Sequence, residues 1–199
     1  MSSISLEKSL GKLILILGPS GTGKGTVINH LKKCYPELVF PASYTTRDMR
    51  ANEVEGEVYH FTSKPVFRQK IESGDFLEWA IVHGDNYYGT DKKQILENLQ
   101  AGKTVCREVD IQGVLSLQNL IPKEQIYTIF LTTDSWEKLE NRIKKRANIS
   151  EEELYKRKES YLKEIEYKDQ MSYTMYSEDG AIEQGNQEAE RIVAQILAK

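Results

Sequence analysis

The sequence predicts an α/β fold on a mostly parallel, five-stranded sheet flanked by helices, and three observations carry that prediction. Residues 13–17 read LILIL, a short and wholly apolar run of the kind a strand buried on both faces requires. A glycine-rich segment follows directly, and beyond it Val27, Ile28 and Leu31 recur at helical spacing until Pro36. From there to the C-terminus, short apolar runs alternate with helical stretches, the order that builds a parallel sheet.

The remaining elements follow in chain order. Residues 38–40, 104–109, 126–131 (IYTIFL) and 173–177 are the other four strand candidates of this sheet. Residues 91–100 form a helix that stops before Gly102. The last segment sets Ala189, Ile192, Val193, Ile196 and Leu197 on one helical face, which docks on the sheet. Two stretches interrupt the alternation. Residues 41–90 are rich in Gly, Tyr, Arg and Glu, with short β-like runs at 57–61 and 76–82. Residues 134–168 are densely charged, and Ser150 with Glu153 makes a capping box that opens a second helix there. The expected organisation is therefore a core of residues 1–40, 91–133 and 169–199 with two insertions, neither apolar enough to fold alone.

Composition narrows the class. At 199 residues with a net charge of −3, the chain has a core of its own and no general affinity for nucleic acid or membranes. Any polyanion site must be a local cluster of basic residues. Cys34 and Cys106 are too few and too scattered for a disulfide framework, which points to a reducing, cytoplasmic setting. The run 13–17 is too short to span a bilayer and leads into glycines rather than a cleavage site. Together with His30, His60 and His83, the cysteines show no metal-ligand spacing and are read as structural.

Residues 18–26, GPSGTGKGT, carry the chemistry. Gly18, Gly23 and Lys24 fit a phosphate-cradling loop, Gly-x4-Gly-Lys, between an apolar strand and an amphipathic helix. In that setting the backbone N–H groups of Pro19–Thr26 (proline excepted) converge on phosphate oxygens, with Ser20, Gly21 and Thr22 in the turn. Lys24 supplies a point charge to the β/γ-phosphates. Gly25 stands where switch GTPases place a magnesium-binding hydroxyl, and the hydroxyl arrives one position later at Thr26. That favours a metal held by phosphates and water between two phosphate-bearing substrates, with no direct protein ligand.

Downstream lie SYTTRDMR (43–50), Glu53, Tyr59, FLEWA (76–80), GDNYYGT (84–90) and EVDIQG (108–113). In order and spacing these motifs resemble the guanylate kinase family over roughly residues 11–165. The resemblance implies a P-loop kinase fold that transfers the γ-phosphoryl group of MgATP to GMP or dGMP, in purine nucleotide metabolism. Residues 41–90 become the GMP-binding domain and 134–168 a mobile lid. Glu78 matches the guanine reader: a carboxylate accepts from both N1–H and the 2-amino group, which adenine does not offer. Ser43, Gly89 and Thr90 match positions around the base. Arg47, Arg50, Glu53, Tyr59 and Tyr88 match the group around the GMP phosphate, where arginine's planar fork suits phosphate oxygens. Glu108 and Asp110 match acidic positions, Asp110 near the base and, with Thr26, near the metal's waters. Arg146 and Arg157 are expected on the transferring phosphoryl group, with Arg142 close by on the same face as Arg146.

Three positions depart from the family pattern. Tyr44 replaces a small polar residue beside the base pocket. Arg107 puts a charge into a core strand, which calls for an early strand end or an acidic partner. Ser177 occupies the slot of an asparagine that touches adenine, so its ATP contact is expected to differ. Two further readings are a guanylate-kinase-like binding module without activity, and a related kinase for another phosphorylated small molecule.

Overall fold

The computed structural model describes residues 11–51, 53–82, 85–146 and 149–199; the side chains of Val82 and Arg146 also lie outside the description, as does His83. Strand β1 (Leu13–Leu17) is buried at every position, as its unbroken apolar run requires. Its alternate residues feed two cores. Leu13, Leu15 and Leu17 face one cluster, while Ile14 and Ile16 face the other, with Val27, Leu31, Ile192 and Val193. The second cluster joins helix α1 (Lys24–Cys34) to α7 (Ile182–Leu197), whose apolar face is the one the sequence assigns. The first receives α3 (Lys92–Gln100) and α4 (Ile111–Gln118), each capped by an aspartate, Asp91 and Asp110.

The core sheet runs β6 (Val105–Glu108), β1, β7 (Ile126–Thr132), β8 (Tyr173–Tyr176), all parallel. Five strands are expected and four form among the described residues. The run 38–40 contributes a single bridge, Val39 to Val105, made by Val39 N–H to Thr104 and Cys106 N–H to Val39. Proline at 36 and 41 brackets this edge segment and removes the flanking donors a longer ladder needs.

A second four-stranded sheet orders as β3 (Tyr59–Phe61), β2 (Ser43–Thr45), β5 (Asn86–Asp91), β4 (Phe76–Val82). The expected strand 57–61 starts two residues late because the chain turns at Gly56, where φ is +80°. Helix α2 (Lys64–Glu72), capped by Ser63, seals one face of this sheet through Phe67. Residues 134–168 hold helices α5 (Trp136–Arg146) and α6 (Glu151–Ile165). Trp136, Leu139, Ile143, Leu154 and Tyr161 give this pair a small apolar cluster of its own. Ser150 caps α6 through Glu153 N–H at 3.2 Å, but the Glu153 carboxylate goes forward to Arg157 instead of closing the capping box.

Candidate active site

The glycine loop links β1 to α1. At Gly18, φ is +131° and a Cβ would stand 2.0 Å from the Leu131 carbonyl oxygen, so the close approach of β7 leaves no room for a side chain. Thr22 is fully buried and donates to the Pro19 carbonyl at 2.9 Å, bracing the loop from within. Helix α1 begins without a side-chain cap, and its N-terminus is the partial positive charge an anion seeks. The Lys24 ammonium lies inside the turn, 2.6 Å from the Gly18 carbonyl, 3.1 Å from that of Pro19 and 3.5 Å from Glu108. A Cβ at Gly25 would meet nothing within 4 Å, so packing does not demand glycine there. Thr26 beside it is exposed.

A cleft of about 810 Å³ runs from this loop to the second sheet, a volume typical of small-molecule sites. Gly18, Pro19, Ser20, Lys24 and Gly25 line one end; Ser43, Tyr59, Glu78, Tyr88 and Gly89 line the other. Glu108 and Asp110 stand along the wall they share. Asp110 also accepts from Gly113 N–H at 2.7 Å, so one carboxylate both caps α4 and faces the cleft.

At the far end, Glu78 on β4 lies opposite Thr90 on β5 and accepts a hydrogen bond from its hydroxyl. Thr90 is buried behind the wall, which makes it a support for the carboxylate. Arg107 supplies the acidic pairing its charge calls for. It projects from β6 across to the second sheet, donating to Ser43 Oγ at 3.2 Å and standing 3.7 Å from Glu78. Only 7% of it is exposed, and its Nε and Nη1 have no partner among the described residues. Burial pushes its pKa down while Glu78, Glu108 and Tyr59 pull it back up. The expected strand end is not needed, since β6 continues through Arg107.

Arg47 makes a fork-to-fork pair with Glu53, and its guanidinium lies over the rings of Tyr59 (5.1 Å) and Phe61 (5.3 Å). That pair, with Arg50 N–H donating at 2.8 Å, holds the Glu53 carboxyl down to about 2. Tyr59 packs edge-on to Tyr88 at 5.8 Å, and burial raises its phenol pKa. Arg47, Arg50 and Glu53 do not line the cleft; Arg50 is exposed. Tyr44 does not line the cleft beside Ser43 and Glu78. It packs on His60 and Phe76 with the Lys70 ammonium 4.6 Å from its ring centre, as alternation along β2 dictates.

From the helical pair, Arg157 lines the cleft and is held by Glu153 at 2.7 Å. Arg142 turns elsewhere: it binds Ser177 through Oγ and the carbonyl, both at 2.8 Å, and Asp179 at 2.5 Å. Ser177 Oγ is 3.8 Å from where a Gly23 Cβ would be, so Arg142 and Ser177 flank the loop together. Arg146 closes α5, and its side chain lies outside the described atoms.

Among the cleft residues that escape sequence reasoning, Glu164 and Trp136 stand out. Glu164 reads as one more charge on a surface helix, yet it is half-buried in the cleft. Burial raises its pKa, opposed by Lys24 and reinforced by Asp110. Trp136 likewise lines the cleft from the start of α5. A separate finding concerns His30 and Cys34, read as structural: with Glu190 they gather into one cluster on the outside of α1 and α7.

Comparison with known proteins agrees with the motifs. The guanylate kinase family model matches residues 10–196. A curated guanylate kinase of Caldanaerobacter subterraneus subsp. tengcongensis is 45% identical over 172 residues, 86% of this chain and 82% of the relative. One of Clostridium tetani is 46% identical over 173 residues, 87% and 80% of the two chains. The solved guanylate kinase of Anaplasma phagocytophilum superposes with a TM-score of 0.70 at 25% identity, covering 96% of this chain and 87% of that one. The chain belongs to the guanylate kinase family.

Proposed function

We propose that this enzyme transfers the γ-phosphoryl group of ATP to GMP, giving ADP and GDP, with dGMP as a second acceptor. One observation carries the reading: a single cleft joins the Lys24 loop to the Ser43–Glu78 end. ATP lies with its β/γ-phosphates on the loop from Gly18 to Thr26, and Arg142 and Ser177 border the adenosine side. GMP lies with its base against Ser43, Gly89 and the Thr90-supported carboxylate of Glu78. Its phosphate lies toward Arg47, Arg50, Tyr59 and Tyr88, with Glu53 orienting Arg47. Residues 41–90 act as the GMP-binding domain and 134–168 as the lid, and the enzyme works in the cytoplasm.

A GMP phosphate oxygen attacks the γ-phosphorus in line, and the bond to the β,γ-bridging oxygen breaks, leaving ADP. The acceptor phosphate has a second pKa near 6, so it is mostly dianionic at neutral pH and no general base is required. Catalysis then consists of positioning and charge neutralisation. Lys24 follows charge onto the β/γ oxygens. Arg157 and Arg146 approach the transferring group as the α5–α6 pair closes, and closure excludes water as a competing acceptor. Magnesium would suit this site because Gly25 leaves open space and the Glu108 and Asp110 carboxylates face the cleft, where they would accept hydrogen bonds from its waters. Bound with ATP, it neutralises phosphate charge.

An ADP-release assay across GMP, dGMP, AMP, CMP and UMP tests the reading. GMP and dGMP should turn over and the other three should not. Folded protein that binds GMP without turnover would indicate a binding module instead. Unchanged GMP turnover in Glu78→Ala would remove Glu78 as the base reader.

A further inference from the structure

The cluster on the outside of the core stands apart from the phosphoryl-transfer cleft. His30 and Cys34 are one turn apart on α1, and Glu190 comes from α7, 160 residues from His30. His30 Nε2 is 2.6 Å from Glu190 Oε1 and 3.4 Å from Cys34 Sγ, which is 4.0 Å from the same carboxylate oxygen. All three donor atoms lie within 4.8 Å of one another. We propose that His30, Cys34 and Glu190 form a site for a zinc-like divalent cation that ties the end of α1 to α7.

The convergence singles out coordination. In a thiol–imidazole–carboxylate relay the carboxylate holds one ring nitrogen and the thiol the other. Here both face the same Nε2, so the three groups point at a common centre. Imidazole, thiolate and carboxylate together suit zinc, whereas magnesium and calcium prefer oxygen alone. With bonds of about 2.0–2.3 Å, a tetrahedral centre sets its ligand atoms roughly 3.3–3.8 Å apart. The His30–Glu190 pair must open by less than about 1.5 Å to reach that spacing, and Cys34 to Glu190 must close by well under 1 Å. Binding releases the Cys34 thiol proton to solvent, and water fills the fourth position.

The surroundings help. Tyr35 donates from its hydroxyl to the Glu190 carbonyl at 3.1 Å, fixing α7 beside the end of α1. Cys34 closes the last turn of α1, where the helix presents partial negative charge to a cation, and His30 lies one turn before it. Cys34 is exposed and the other two are half-buried, so an ion has a route in. The other thiol, Cys106, is fully buried in the core and offers no competing site.

The test uses the full chain, treated with chelator and then titrated with zinc chloride by calorimetry. One equivalent should bind, the melting temperature should rise, and chelator should reverse the rise. Cys34→Ser and Glu190→Gln should each weaken binding at least tenfold. Cobalt(II) in place of zinc should give a thiolate charge-transfer band in the wild type and none in Cys34→Ser. Chelator-treated variants should melt with the chelator-treated parent and keep its kcat/KM, because Cys34 is roughly 15 Å along α1 from Lys24. Absence of stoichiometric binding overturns the proposal, and so does zinc affinity that survives both substitutions.

Discussion

Replacing Arg107 with methionine should separate stability from acceptor binding. The Arg107 residue is only 7% exposed, and its guanidinium donates once to Ser43 and stands 3.7 Å from a carboxylate. Burying such a charge costs several kcal/mol, and donors left without partners cost about 1–3 kcal/mol more. An unbranched apolar side chain of similar reach removes both penalties; replacing a whole buried ion pair by apolar groups is neutral or stabilising by about 1–4 kcal/mol, whereas stranding a buried partner charge costs about 3–5 kcal/mol. The opposing cost is an unpartnered Glu78. Its side chain is 22% exposed, opens on the cleft and keeps Thr90, so that cost is small. Urea unfolding should therefore show Arg107→Met at least as stable as the parent. Glu78 and Ser43 lose the group that positions them, and one misplaced charge-assisted hydrogen bond is worth about 1.5–3 kcal/mol. KM for GMP should rise by roughly 10–100-fold, with kcat at saturation and KM for ATP little changed. Arg107→Lys should recover part of the loss. The reasoning fails if Arg107→Met loses about 3 kcal/mol or more of stability while KM for GMP stays put, since Arg107 would then be only a pin between the sheets.

Three further outcomes follow from the geometry. Gly18→Ala should cost roughly 2–4 kcal/mol because its Cβ collides with the Leu131 carbonyl, whereas Gly25→Ser should unfold at the parent's urea midpoint; equal midpoints for the two variants would contradict the loop geometry. The Glu53 carboxyl is held down from 4.5 to about 2, so its ion pair stabilises fully above about pH 4.5 and progressively less as pH falls toward 2. The stability gap between wild type and Glu53→Gln, followed by denaturation at each pH, should be flat from pH 5 to 7 and close below that window. Burial pushes the Cys106 thiol up to about 12, so iodoacetamide at pH 8 should label native, chelator-treated protein at Cys34 alone and take a second equivalent only on unfolding, as read by mass spectrometry.

Much of this molecule is legible wherever the deciding interactions are local. The run LILIL is β1 to the residue, FLEWAIV is β4, and the aspartates before α3 and α4 cap as their type suggests. The glycine loop declares itself because its spacing is a backbone requirement. What escaped depends on partners far along the chain. Arg107 meets Ser43 across 64 positions, and His30 meets Glu190 across 160; no period or spacing encodes either meeting. Glu164 hides for another reason, since its neighbours on α6 are exposed charges and only the fold of α6 over the cleft sets it apart. The strand at 38–40 fell to a bridge because an apolar run alone does not reveal that both its flanks lack ladder donors.

The separate apolar cluster of α5 and α6 bears on the entropy of the closure proposed for residues 134–168. Trp136, Leu139 and Ile143 interlock with Leu154 and Tyr161, which ties the two helices into one packed unit. An arginine side chain carries about 2 kcal/mol of rotamer freedom that ordering must take away. Arg157 is already braced by Glu153, and Arg142 by Asp179 and Ser177, before any substrate arrives. In the closure proposed above, part of the ordering of these arginines would thus be met during folding, leaving substrate binding chiefly a rigid-body displacement to supply.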